Sequence, residues 1–278
     1  MKNNQVQHIS IQKISAGKIT QADDMVAVEE PLEIQLAYST ATGRMQKNIA
    51  VTMRTPGNDE ELSAGFLFTE GIIKNGADIE EIKQPGADEN RVILTLKENI
   101  EPILANASRN FYSTSSCGIC GKASIEAIQT LSQYGNEKDN ISINASVLYP
   151  LQNKLKKKQK VFEDTGGIHA SALFDLNCKF IMLREDVGRH NALDKIIGAA
   201  LLNNLLPLKN RILLLSGRAS FELIQKSVMA GIKIIAAVGA PSSLAVELAE
   251  ENGITLIGFL REERFNVYAG GQRVKPQP

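Results

Sequence analysis

The sequence predicts an α/β fold, with a largely parallel sheet covered on both faces by helices over residues 113–278 and a smaller strand-rich lobe over residues 1–112. Two patterns predict it. From Phe180 onward, short continuous runs of Ile, Val and Leu alternate with amphipathic stretches of helical length, the signature of strands buried on both faces. Before Leu96 the apolar runs are shorter and alternating, and they are punctuated by Pro31, Gly43 and Pro56-Gly57.

In chain order, Met25 to Glu29, Leu32 to Tyr38 and Ile49 to Met53 read as strands of an antiparallel sheet. Asn58 followed by Glu61 predicts a capping box opening a helix that runs to a glycine stop at Gly71. Arg91 to Leu96 is a further strand, and Lys97 to Ser116, with Pro102 and scattered Asn and Ser, reads as a connecting loop. Val147 to Lys160 predicts one amphipathic helix burying Leu148, Leu151 and Leu155. Its basic end, Lys154 and Lys156 to Lys158, suits either a solvated face at the negative end of a helix dipole or a docking patch for an acidic partner. The last section predicts strands at Phe180–Leu183, Ile212–Leu215, Lys233–Val238 and Ile254–Phe259. Helices at Asn191–Asn203, Phe221–Gly231 and Ser243–Asn252 separate them.

At 278 residues the chain is long enough for one large domain or two lobes. Its 31 basic and 31 acidic residues cancel, so there is no bulk attraction to nucleic acid or to an anionic membrane, and any anion site must be local. No apolar run approaches the roughly 20 residues of a membrane span. The first eight residues lack the apolar core of a signal peptide, and three cysteines cannot all pair, which points to the cytoplasm.

Two of those cysteines lie in Ser113-Thr-Ser-Ser-Cys-Gly-Ile-Cys-Gly-Lys122, just before a helical pattern carried by Ala123, Ala127, Ile128 and Leu131. The start of a helix offers unpaired N–H groups and a positive dipole end, and Lys122 adds charge, so Cys117 and Cys120 are expected to favour thiolate. A structural disulfide would close a tiny loop and constrain little chain entropy. A zinc site would need two more ligands from Cys178, His8, His169 and His190, none of them in a metal-binding spacing. A dithiol redox pair and a sulfur carrier remain, and the spacing alone does not separate them.

In an open α/β sheet, ligands collect beyond the carboxyl ends of strands. Those ends are Arg184 to His190, Ser216 to Ser220, Gly239 to Ser243 and Leu260 to Arg264. All but the third carry arginine, with Ser and Gly near helix starts, so they suit a phosphate cradle. Neither a P-loop nor a dinucleotide glycine fingerprint is present. His169, among glycines and small residues, and His190, beside Arg189, are candidate chemical groups as well as ordinary structural histidines.

Five ordered blocks resemble the formate dehydrogenase accessory family of sulfur carriers, FdhD. They are Ser-Ser-Cys-Gly-Ile-Cys-Gly, Thr-Gly-Gly-Ile-His-Ala-Ser, Arg-Glu-Asp-Val-Gly-Arg-His-Asn-Ala-Leu-Asp-Lys, Ser-Gly-Arg-Ala-Ser-Phe-Glu and Phe-Leu-Arg-Glu-Glu-Arg-Phe-Asn-Val-Tyr. The resemblance runs from the first strands to Tyr268. It implies a cytidine-deaminase-like mixed α/β sheet, usually in a homodimer. It also implies that sulfur is received from a cysteine desulfurase and passed to the molybdenum bis-guanine-dinucleotide cofactor, as cargo, before insertion into formate dehydrogenase. Carried over by residue, Cys117 matches the persulfide-bearing cysteine and Cys120 its partner. Phe259, Leu260, Arg261, Glu262, Glu263 and Arg264 match the segment contacting the nucleotide part. Deaminase chemistry is not implied, because no H-x-E with P-C-x-x-C is present to hold zinc, and no resident metal is expected. The rival expectations are a cofactor chaperone without sulfur chemistry and a dithiol oxidoreductase.

Overall fold

The computed structural model describes residues 5–86, 90–104, 111–112, 132–134 and 139–276. It opens with a two-stranded antiparallel ribbon, β1 (Val6–Ser15) and β2 (Lys18–Ala27), turned at Ala16-Gly17, both with positive φ. Only the end of this ribbon was expected as a strand. Most of its side chains are exposed, so no buried face imposes the alternation that marks a strand.

A five-stranded sheet follows, built from β3 (Glu30–Thr40), β4 (Gly43–Arg54), β5 (Ile79–Lys83), β6 (Arg91–Leu96) and β7 (Phe111–Tyr112) in the order β5-β6-β3-β4-β7. The β3/β4 hairpin is antiparallel, but β6 runs parallel to β3 and β7 parallel to β4, so the sheet is mixed rather than antiparallel as expected. Leu32, Ile34 and Leu36 of β3 and Val92, Leu94 and Leu96 of β6 are fully buried, in one core with Leu62, Leu67 and Phe68 of α1 (Asp59–Thr69). The glycine stop forms at Gly71, with φ +72. The capping box does not. Asn58 sits in the left-handed region without capping through its side chain, and Glu61 instead pairs with the Arg184 guanidinium, 2.6 Å from its Nη2.

The second sheet contains β9 (His169–Asp175), β10 (Phe180–Asp186), β11 (Arg211–Leu215), β12 (Ile234–Ala237), β13 (Thr255–Gly258) and β14 (Asn266–Ala269), in the order β10-β9-β11-β12-β13-β14. The four expected strands are there. The additional strands β9 and β14 both run antiparallel to their neighbours, so the sheet is mixed, with parallel pairing confined to β11-β12-β13. Ala170, Ser171 and Ala172 explain why β9 was hidden: small residues have weak strand preference, and tertiary burial decides their conformation. A short parallel pair, β8 (Ile143–Asn144) with β15 (Val274–Lys275), lies outside this sheet.

Three helices, α4 (Arg189–Leu202), α5 (Phe221–Met229) and α6 (Ser243–Glu251), share a core with Leu173, Leu213, Leu215, Ile235 and Leu256 on one face of the sheet. The other face contributes Phe174, Ile212, Leu214, Ile234 and Ile257 to a second core, with Leu148 and with Leu151 and Leu155 of α2 (Leu151–Lys156). The single helix expected over Val147–Lys160 is therefore interrupted. Pro150 stands at the start of α2, and Gln159, with ψ +86, separates it from α3 (Lys160–Thr165). Two of the basic residues have partners within the fold: Lys154 donates to the Cys178 carbonyl at 2.6 Å, and the Lys158 ammonium lies 5.2 Å from the centre of the Phe180 ring.

The first core contains residues of both sheets, because α1 packs across α4. Buried charges reinforce this junction. Lys195 of α4 meets Asp186 at 2.7 Å, both without exposure, and also donates to the Thr55 carbonyl at 2.8 Å. Lys226 of α5 joins Asp194 at 2.9 Å and Thr69 Oγ1 at 2.9 Å. No helix among the described residues is long and apolar enough to cross a membrane.

Candidate functional site

Strands β10 and β11 both run antiparallel to β9, so β10, β11, β12 and β13 end at one edge of the sheet and the four loops predicted there converge. The first loop is fixed by the buried Asp186 carboxylate, which accepts from Gly188 N at 2.8 Å, Asn191 Nδ2 at 3.1 Å and Thr55 N at 3.2 Å besides its lysine. This anchors the start of α4. Arg184, predicted at this edge, lies within β10 and is engaged by Glu61, so it is spent on the junction between α1 and the sheet.

His190, in the first turn of α4, places Nε2 2.7 Å from Glu222 Oε2 and 3.4 Å from Ser220 Oγ. These two contacts fall on the same ring nitrogen and clasp the starts of α4 and α5 together. His169 is different. It opens β9 opposite Asp186, is half-buried, and has Gly217 so close that a Cβ there would lie 3.3 Å from its Nδ1. Burial, followed by the charges of Arg189 and His190, holds His169 below the usual histidine range and keeps the ring neutral near pH 7.

His169 lines a cavity of about 520 Å3 between this edge and the α2–α3 segment, along with Lys156, Gln159, Phe162, Gly217 and Val238. Sequence reading did not find Lys156, Gln159 or Phe162 as cavity residues, and no local motif marks them; the break between α2 and α3 brings them there. The neighbouring Glu185 accepts from Val161 N at 3.1 Å and Phe162 N at 3.0 Å and so caps α3. Burial pushes its carboxyl up against those stabilising amides.

The segment predicted for nucleotide contact follows β13. Phe259 has φ +51 and donates its N–H to the Gly239 carbonyl, and Leu260, fully buried, donates to Ala237. Arg261 N to Arg264 O at 2.8 Å closes a tight turn. The Arg261 guanidinium donates to the Val238 and Leu260 carbonyls at 2.8 and 2.7 Å, and Glu262 accepts from Asn153 at 2.8 Å. Glu263 is exposed. Among the described residues, neither glutamate pairs with the arginines of its own loop. Phe259, Arg261, Arg264 and Asn266 line a small cavity of about 160 Å3.

Cys117 and Cys120, with the helix expected behind them, lie outside the described residues. Cys178 lies within them. It is buried, its Sγ donates to the Val147 carbonyl at 2.7 Å, and burial pushes its thiol up to about 11. Among the described residues, no group of three or more His, Cys, Asp or Glu is arranged to hold a metal ion.

Fold and edge together define a mixed α/β protein whose arginine- and glycine-bearing loops gather at the carboxyl ends of its strands, joined through one core to a second sheet. The chain belongs to the FdhD/NarQ family, whose family model matches residues 27–275. It is 47% identical over 268 residues to the sulfur carrier protein FdhD of Mycolicibacterium paratuberculosis, covering 94% of this chain and 96% of that one. It is 43% identical over 270 residues to the protein of the same name from Sulfolobus acidocaldarius, covering 97% and 99%. A crystal structure assigned as a formate dehydrogenase accessory protein, from Desulfotalea psychrophila, superposes with a TM-score of 0.76 at 26% identity, covering 98% of this chain and 100% of that one.

Proposed function

We propose that this protein is a sulfur carrier acting as a sulfurtransferase. It accepts sulfane sulfur from a cysteine desulfurase and delivers it to the molybdenum bis-guanine-dinucleotide cofactor before that cofactor enters formate dehydrogenase. The observation that carries this reading is the Cys117-x-x-Cys120 segment in a chain that aligns nearly end to end with proteins named sulfur carriers. The Cys117 thiolate attacks the outer sulfur of the desulfurase's cysteine persulfide. A new S–S bond forms on Cys117, and the desulfurase cysteine leaves as thiolate. Delivery follows when the Cys120 thiolate attacks Cys117 Sγ, expelling hydrosulfide toward the metal centre of the cargo. The Cys117–Cys120 disulfide left behind needs a cellular dithiol to reduce it.

The nucleotide end of the cargo is read at Phe259, Leu260, Arg261, Glu262, Glu263 and Arg264. Arg261 and Arg264 border a cavity of phosphate size, and a guanidinium gives forked hydrogen bonds to phosphate. The working form is a cytoplasmic homodimer, with the desulfurase and formate dehydrogenase as its partners. Intact-mass measurement after incubation with a cysteine desulfurase and free cysteine tests the reading. A carrier gains the mass of sulfur, lost on adding reductant and absent from Cys117→Ala. A chaperone stays unchanged, and a dithiol oxidoreductase only loses hydrogen.

A further inference from the structure

We propose that the β1–β2 ribbon is a dimerisation arm, whose β1 edge pairs antiparallel with β1 of a second copy of this chain about a two-fold axis through Ser10. This rests on the homodimer reading and adds the surface that makes it. Each strand of the ribbon has ten residues, and neither outer edge has a strand partner among the described residues. Two strands alone are marginal in water, and free edges are ordinarily blunted by proline, a bulge, shortness or charge. β1 has no proline, its pairing with β2 runs without a register shift, and Lys13 is its only acidic or basic residue besides His8. β2 is the poorer edge, because it carries Asp23 and Asp24 in succession and α3 packs on the ribbon mainly through it. At the tip, Ile14 and Ile19 stand opposite each other, 69% and 64% exposed.

The register follows from the turn. Ala16 and Gly17, both with positive φ, form a two-residue turn that makes Ser15 and Lys18 a hydrogen-bonded pair. Alternation along β1 then aims the backbone groups of Val6, His8, Ser10, Gln12 and Ile14 away from β2, toward the free edge. Two such edges can bond only where these outward residues oppose one another. Centred on Ser10, the two-fold sets Ser10 against Ser10, His8 against Gln12 and Val6 against Ile14, while Ile9 falls opposite Ile11 and Gln7 opposite Lys13. Every apolar residue of β1 meets an apolar residue, and no two like charges coincide. Sliding the register by two positions, the smallest slip that keeps the bonds, sets Ile11 against Gln7 or Ile9 against Lys13.

The same register accounts for the exposed tip. In the continuous antiparallel sheet β2-β1-β1-β2, Ile19 and Ile14 of one copy run on into Val6 and Ala27 of the other, because Val6 pairs with Ala27 as Ile14 does with Ile19. A side-chain pair surrounded by water in one chain thereby joins an apolar row that the two-fold repeats at the other end. A foreign strand could satisfy the same backbone amides. Only a second copy brings this order of apolar and polar residues in reverse, which is what the matching of β1 against itself requires.

Analytical ultracentrifugation of the full chain tests the arm, and the unaltered protein should sediment as a dimer. Ser10→Pro removes the central outward N–H while leaving the β1–β2 bonds in place, and should raise the dimer dissociation constant about tenfold or more. Gln21→Pro makes the same change on the outer edge of β2 and should leave dimerisation as it was. Ser10→Cys, in a Cys117→Ala, Cys120→Ala background, gives a positive signal. The two-fold opposes the two new thiols on residues about 5.5 Å apart at Cα, within disulfide reach, so air oxidation should yield a covalent dimer, whereas Ser15→Cys in that background should not. Equal effects of the two proline substitutions, with no capture through Ser10→Cys, overturn the arm and leave a homodimer built elsewhere. A chain that sediments as a monomer at every concentration overturns both.

Discussion

Gly65 of α1 and Gly198 of α4 face each other where the two helices cross. A Cβ on Gly65 would overlap the Asp194 carbonyl oxygen, and one on Gly198 would overlap that of Glu61. The obstacle in each case is helix backbone, which cannot rotate aside as a side chain can. Either glycine to alanine substitution should destabilise the protein by about 3 kcal/mol or more, the upper part of the range for overpacking. Urea unfolding followed by circular dichroism measures it, and a loss under about 1 kcal/mol would show that the crossing is looser than this geometry.

The Lys195–Asp186 pair should be among the costliest charges to break. Lys195→Met strands a fully buried carboxylate, with an expected loss of about 3–5 kcal/mol and a lower denaturation midpoint at an unchanged slope. A near-neutral result would mean that the carboxylate takes up a proton cheaply in the folded state.

His169 makes stability depend on pH with a definite sign. Its folded pKa is depressed below the unfolded value of about 6.5, so its contribution is present in full above that pH and lost as pH falls through the folded pKa. Comparing thermal midpoints of the unaltered protein and His169→Gln at pH 8 and pH 5 isolates this effect from the carboxylates. The unaltered protein should lose more on acidification. An equal loss in both would remove the proposed cause.

Arg264→Ala is expected to weaken GDP binding by about 1.5–3 kcal/mol through loss of a charged hydrogen bond, measured calorimetrically. Arg261→Ala should weaken it by a similar amount and also loosen the loop, because that guanidinium holds the Val238 and Leu260 carbonyls. Unchanged affinity in both variants would place the nucleotide elsewhere.

Cys178 should be chemically silent. Its thiol is buried, engaged by the Val147 carbonyl and pushed up to about 11, so little thiolate exists at pH 8. Iodoacetamide should label it slowly in the folded protein, and Cys178→Ser should load sulfur as the unaltered protein does. Loss of loading as complete as in Cys117→Ala would redraw the assignment of the cysteine pair.

Legibility in the sequence followed how local each cause is. The runs at Phe180–Leu183, Ile212–Leu215, Lys233–Val238 and Ile254–Phe259 are strands because continuous apolar stretches of that length have nowhere to go but a covered sheet, and each was found where the pattern put it. β9 escaped because Ala170, Ser171 and Ala172 carry almost no strand signal. The capping box at Asn58 failed because Glu61 found Arg184, 123 residues away, a more rewarding partner than its own helix start. Within the candidate site, the convergence of the loops at one edge was legible from strand and helix order. The engagement of Arg184 and the clasp of His190 by Glu222 were not.

By itself the sequence determined the α/β class, the ordered motif blocks and the residues at the strand ends, which follow from local periodicity and fixed spacing, whereas the mixed sheet was implied only by the family resemblance. Only the tertiary structure decided which charged groups are spent on the fold, that α1 and α4 touch backbone to backbone, and that Gln159 and His169 border one cavity. Those outcomes depend on through-space distances between segments far apart in the chain, and burial acts on the assembled core, where each donor and acceptor takes whichever partner the packing brings within reach.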